Sequence, residues 1–174
     1  MQKQINNLFD MRRGFTLLEL ILYVGIAAIL ISTVLVFAIN LIQSRVKNQA
    51  IFEVEGQGSE AIRVITQGLR NAEGIVWPVP GSSSNFVQID AVGTAMDPTV
   101  YFHSGDTLWI WDQIVPSRPL TSARVVVSDA IFENLSRSDT PGIVRFQFTL
   151  SYVNPENRNE YEYSKTFYGS GSLR

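Results

Sequence analysis

The chain has 174 residues, 45% of them hydrophobic, and 14 Lys and Arg stand against 16 Asp and Glu for a formal net charge of −2. It has no cysteine and one histidine, which excludes disulfide staples, thiolate nucleophiles and cysteine-ligated metal. The near-neutral balance provides no global basic surface of the kind that captures nucleic acid.

Residues 1–14 are short and polar, with Lys3, Arg12 and Arg13 set against Asp10. An apolar run then extends from Phe15 to Ile42, and no residue between Leu20 and Ser44 is charged. As a helix rising about 1.5 Å per residue, the run reaches roughly 40 Å, enough to cross a hydrocarbon core of about 30 Å. Basic residues ahead of such a run keep its N-terminus cytoplasmic and send the C-terminal part outside, in a single pass. A secretory signal would end in a small-residue cleavage site. The sequence Gln43-Ser44-Arg45-Val46-Lys47-Asn48 is no such site, so the run is expected to stay on the chain.

Glu19 sits one turn inside this run. A carboxylate at membrane depth costs on the order of several kcal/mol unless it finds a partner, and such residues mark functional sites. The first basic residue after it is Arg45. A plain signal anchor whose acid snorkels to the interface would account for the charge, but not for the sequence around it.

Arg12-Arg13-Gly14-Phe15-Thr16-Leu17-Leu18-Glu19-Leu20 resembles the N-terminal motif of type IV pilins and type II secretion pseudopilins. The resemblance implies cleavage between Gly14 and Phe15 by a prepilin peptidase and N-methylation of Phe15. It also implies that Glu19 pairs with the N-terminal amine of a neighbouring subunit, so that Phe15 and Glu19 set filament register. The implied partners are other pilin or pseudopilin subunits, the peptidase, an inner-membrane assembly platform and, before assembly, membrane lipid. No cofactor, metal or catalytic residue is implied. Many major pilins have a proline near position 36 and a C-terminal disulfide; this chain has Val36, no proline before Pro78 and no cysteine. Those departures point to a minor pilin or pseudopilin, or to a pilin of another bacterial group.

Beyond the run, Val46, Ala50, Ile51, Val54, Gly58, Ala61, Ile62, Ile65, Leu69 and Ala72 recur at three- and four-residue steps, an amphipathic stripe. Gly56 and Gly58 weaken a helix by about 1 kcal/mol each and are expected to mark a bend. Asn71 to Gly74 is expected to cap the helix, with a Pro/Gly/Ser loop over residues 76–85. The domain reading is 1–14 leader, 15–44 transmembrane or filament-core helix, 45–73 amphipathic continuation and 74–174 β-rich head. Strands are predicted over 86–92, 99–103, 107–112, 123–127, 143–153 and 160–168, with a turn at 104–106 and a loop at 116–119; residues 129–135 read ambiguously. The predicted fold class is α+β and pilin-like: one long N-terminal helix packed on an antiparallel β-sheet head.

The head offers little chemistry. No nucleophile-elbow, phosphate-loop, zinc or dinucleotide signature occurs. His103 ends a strand and reads as structural. Asp106 and Asp112 lack the run of oxygen ligands that a calcium loop needs, and Asn134-Leu135-Ser136 fits a glycosylation acceptor pattern. Arg118, Arg124 and Arg137 are too few to make nucleic acid an expected partner. Trp109 and Trp111 flank Ile110 on a strand whose two faces are both apolar. One face should cover the helix, and the other is either a patch for a neighbouring subunit or is covered by the head's own loops. The functional expectation is a processed subunit of a type IV pilus, type II secretion or DNA-uptake filament. The alternative is a signal-anchored extracytoplasmic binding module that does not assemble.

Overall fold

The computed structural model describes residues 15–91, 98–137 and 141–173. The leader, Gly14 and the last residue of the strand expected over 86–92 lie outside the described residues. The chain divides into two compact units between Ile42 and Gln43. One α-helix, α1 (Leu17–Arg70), supplies the described part of the first unit and the opening of the second.

In the first unit, α1 is apolar on every side and none of its hydrophobic side chains is buried. Such a helix is made for a membrane or for a bundle of its own kind. Its polar side chains bond to their own helix: Ser32 Oγ donates to the Ala28 carbonyl at 2.8 Å, Thr33 Oγ1 to Ile29 at 2.9 Å and Asn40 Nδ2 to Val36 at 3.0 Å. A hydroxyl or amide that donates to the carbonyl four residues back is spared the cost of an unpaired donor in apolar surroundings.

In the second unit, α1 buries Ala50, Val54, Gly58, Ala61, Ile65 and Leu69, the predicted stripe. The head is two antiparallel sheets rather than the single sheet expected. One joins β1 (Ala72–Trp77), β3 (Phe86–Ala91), β4 (Thr99–Ser104), β5 (Thr107–Trp111) and β6 (Arg118–Pro119) in that order. The other joins β2 (Ser83–Ser84), β7 (Val125–Asn134), β8 (Ile143–Tyr152) and β9 (Ser164–Ser172). Buried side chains from α1 and both sheets form one core.

β8 shows why these residues make a strand. Val144, Phe146, Phe148 and Leu150 alternate inward, and all are at most 1% exposed. Their rings join a row that runs across the sheet: Phe132 to Phe146 at 6.1 Å, Phe146 to Phe148 at 6.4 Å and Phe148 to Phe167 at 5.6 Å between centroids. Burying each phenylalanine contributes roughly 1.5–3 kcal/mol. The row meets α1 at Gly58, where an added Cβ would stand 2.1 Å from Phe167 Cζ. Helix α1 therefore continues through Gly56 and Gly58, and Gly58 is there for the ring above it.

Several expectations need correction, among them the final strand, expected over 160–168 and found at Ser164–Ser172 after a 3-10 turn at Asn159–Tyr161. Residues 72–77, read as cap and loop, form strand β1, and Arg118–Pro119 is a short edge strand rather than loop. The ambiguous stretch 129–135 belongs to β7 as far as Asn134. A bulge between Ser128 and Ile131, with Asp129 at φ 52°, shifts the alternation by one residue. Val125 and Val127 face inward before the bulge, and Ala130, Phe132 and Asn134 after it. A period-2 reading fails across such a slip because the buried set changes parity.

Candidate functional site

The N-terminal turn of α1 carries the predicted site. Phe15 and Thr16 precede the helix, which places Thr16 at its N-cap. Thr16 Oγ1 accepts from the Glu19 amide at 3.3 Å, and the Leu20 amide donates to the Thr16 carbonyl at 3.1 Å. Thr-Leu-Leu-Glu has the spacing of a capping box, and it satisfies an amide that an uncapped helix start leaves without a partner. The same four residues that read as a processing motif are thus also a helix start.

The Glu19 carboxylate is half-exposed and accepts from the Tyr23 hydroxyl, Oη to Oε1, at 3.3 Å. Tyr23 in turn meets Phe15 edge to face, with centroids 6.0 Å apart and planes at 75°. Phe15 is 72% exposed. Phe15 and Glu19, both predicted site residues, are therefore linked through Tyr23, which the sequence reading missed. The signal was the four-residue step from Glu19 to Tyr23, which puts the two side chains on one helix face. Glu19 makes no ion pair with a basic side chain among the described residues.

Chemically, this end of the helix can hold an external cation. A hydroxyl bonded to one carboxylate oxygen orients the group but leaves its charge in place. An ammonium at Phe15 of the same chain would be opposed by the helix macrodipole. The arrangement thus presents one unneutralised acid beside an exposed ring. The match of residues 10–35 to the family described as Prokaryotic N-terminal methylation motif decides what the segment is.

This is a pilin-type N-terminus.

The motif is the signature of type IV pilins and pseudopilins, and one long apolar helix followed by antiparallel sheets is a pilin-like architecture. Helix α1 is long and apolar enough to cross a membrane. No curated protein and no solved structure matches the chain. The likeness therefore rests on the pilin-type N-terminus, of which Gly14 lies outside the described residues.

The remaining candidates separate clearly. Trp109 and Trp111 are half-exposed on the face of β5 opposite the buried Leu108 and Ile110. Trp109 lies against its cross-strand partner Phe102, with centroids 6.5 Å apart and planes 15° apart, and its Nε1 donates to the Ser104 carbonyl at 3.3 Å. Trp77 and Phe86 pair likewise at 6.0 Å and 13°. The head thus shows a row of rings there, partly covered by one another.

His103 Nε2 lies 3.2 Å from the Val127 carbonyl and ties β4 to β7. Asp112 Oδ1 accepts from the Ile114 and Val115 amides, a turn-forming role. Among the described residues no cluster of three His, Cys, Asp or Glu has the geometry to hold a metal. Asn134 is 1% exposed; its Nδ2 donates to the Pro78 carbonyl at 2.6 Å and its Oδ1 accepts from the Ser136 amide at 3.0 Å. It is a structural residue, closed to glycosylation in the folded head.

Proposed function

We propose that the protein is a minor pilin or pseudopilin, made as a precursor in the cytoplasmic membrane with its head outside. It enters a filament of a type IV pilus, type II secretion or DNA-uptake system. A prepilin peptidase cuts between Gly14 and Phe15 and methylates Phe15. The new amine pairs with Glu19 of a neighbouring subunit, and the run from Phe15 to Ile42 packs the filament core. Trp109 and Trp111 belong to a contact between heads.

The observation that carries this reading is Glu19, an acid in an apolar helix with a hydroxyl beside it and no cation bonded to it among the described residues. In low dielectric an ammonium from another chain neutralises both charges and fixes the axial offset between helices. Small residues at Gly25, Ala27 and Ala28 let a neighbouring helix come close.

Coexpression with a prepilin peptidase and mass spectrometry of the N-terminus test the first step. The expected product begins at methylated Phe15, and an uncut precursor would overturn the reading.

A further inference from the structure

The head contains a cavity that filament assembly does not account for. It encloses about 620 Å³ beside the last turns of α1, is partly open to solvent, and falls within the usual range for small-molecule sites. Val64, Ile89 and Ile110 give it an apolar wall, and Tyr101, Asp112 and Arg118 line it as well.

Tyr101 is 3% exposed, and its hydroxyl lies where a Cβ on Gly68 would stand. Burial pushes its pKa up to about 12, so the group is a hydrogen-bond donor throughout the neutral range. Arg118 and Asp112 both act on this hydroxyl electrostatically, in opposite senses. They are nevertheless not an ion pair. Asp112 is 7% exposed and committed through Oδ1 to two backbone amides, and Arg118 forms no salt bridge among the described residues. Arg70 and Glu73, both exposed, line the same cavity with opposite charges.

Arg118, exposed on β6, and Tyr101 line one cavity and so supply two kinds of donor, the pattern that recognises a carboxylate. The Asp112 carboxyl nearby, already committed to two backbone amides, offers a second anionic group no donor. We propose that this cavity binds small monocarboxylates with a branched apolar body, the carboxylate on Arg118 and the Tyr101 hydroxyl, the body on Val64, Ile89 and Ile110. The site is independent of the pilin reading, since every residue lining it belongs to the second unit, beyond the apolar run.

The test uses the full chain in detergent micelles with labelled Ile and Val methyl groups, titrated with isocaproate, with isoamylamine and with adipate. Isocaproate should shift the Ile89, Ile110 and Val64 methyl resonances saturably, while the amine and the dicarboxylate should not. Arg118→Gln should weaken isocaproate binding about tenfold or more, the loss of a charged hydrogen bond. Tyr101→Phe, which keeps the buried ring, should weaken it severalfold and serves if the arginine variant disturbs the spectrum. The proposal is overturned if nothing saturates by about 10 mM, an order of magnitude above a roughly 1 mM affinity. Equal shifts with isoamylamine or adipate, or unchanged binding in both variants, would overturn it too.

Discussion

The Tyr23 hydroxyl donates to Glu19 Oε1 one helical turn away, at 3.3 Å. A neutral donor of this kind aims a carboxylate without discharging it. The proposed register role therefore belongs to Glu19, and Tyr23 is its positioning residue. Glu19→Ala should abolish incorporation into filaments while leaving cleavage and methylation at Phe15 intact. Tyr23→Phe keeps the ring against Phe15, so it should lower incorporation only partially. Filament yield after shearing, set beside N-terminal mass spectrometry of the membrane pool, separates the two. Wild-type assembly by Glu19→Ala would remove the register role.

Two glycines two residues apart, on opposite faces of α1, should respond oppositely to alanine. Gly58→Ala drives a Cβ to 2.1 Å from the Phe167 ring, and overpacking of this sort costs about 1–3 kcal/mol. Gly56 has nothing within 4 Å of its would-be Cβ, so Gly56→Ala should gain up to about 1 kcal/mol of helix propensity. Thermal unfolding followed by circular dichroism should show Tm falling for the first and rising for the second.

The helix is also tied to the last strand by charge. Lys165 Nζ donates to both Glu55 oxygens at 2.6 and 2.7 Å, and the Tyr163 hydroxyl donates to Glu55 at 2.8 Å. The Lys165 hydrogen bonds, then that of Tyr163, hold the Glu55 pKa below the ordinary carboxylate value. A lowered folded-state pKa contributes stability above the unfolded value and loses it as pH falls through the folded one. Lys165 is raised, chiefly by Glu55, so its share is present below the ordinary lysine range and lost as pH climbs through the raised value. Stability should thus fall at both ends. Glu55→Gln should flatten the acid limb of a urea-midpoint profile, modestly because the group is open to solvent.

Asn134→Ala should be far more damaging than its surface-like sequence context suggests. It removes the donor to the Pro78 carbonyl and the acceptor of the Ser136 amide at a position 1% exposed. Unpaired buried groups of this kind cost about 1–3 kcal/mol each. Urea denaturation should show the loss, and Asn134→Asp should not recover it, because a carboxylate oxygen would face the Pro78 carbonyl in place of the donor.

The long helix, the α+β class and strands such as β8 were legible because each rests on an unbroken pattern, an uncharged run and then a 3.6-residue period from Ala50 to Leu69 in α1, and a period of 2 from Val144 to Leu150. Strand β7 was not, since the extra residue at Asp129 reverses which side chains face inward, and only pairing with β8 reveals it. β1 was hidden for another reason. Ala72-Glu73-Gly74 looks like a helix end, and it becomes strand only because β3 stands beside it. At the N-terminal turn, Phe15 and Glu19 were singled out in sequence order, whereas Tyr23 needed the helix to bring its hydroxyl back one turn. The cavity at Tyr101 joins residues from α1, β3, β4, β5 and β6, a juxtaposition no local pattern encodes.

Ser32, Thr33 and Asn40 are the polar residues between Val24 and Ile42, and each spends a side-chain donor on its own helix. That stretch can therefore exchange fatty acyl neighbours for protein neighbours without breaking a side-chain hydrogen bond. Its solvation cost is nearly the same in either phase, and the choice between them falls to shape and to the single charge at Glu19.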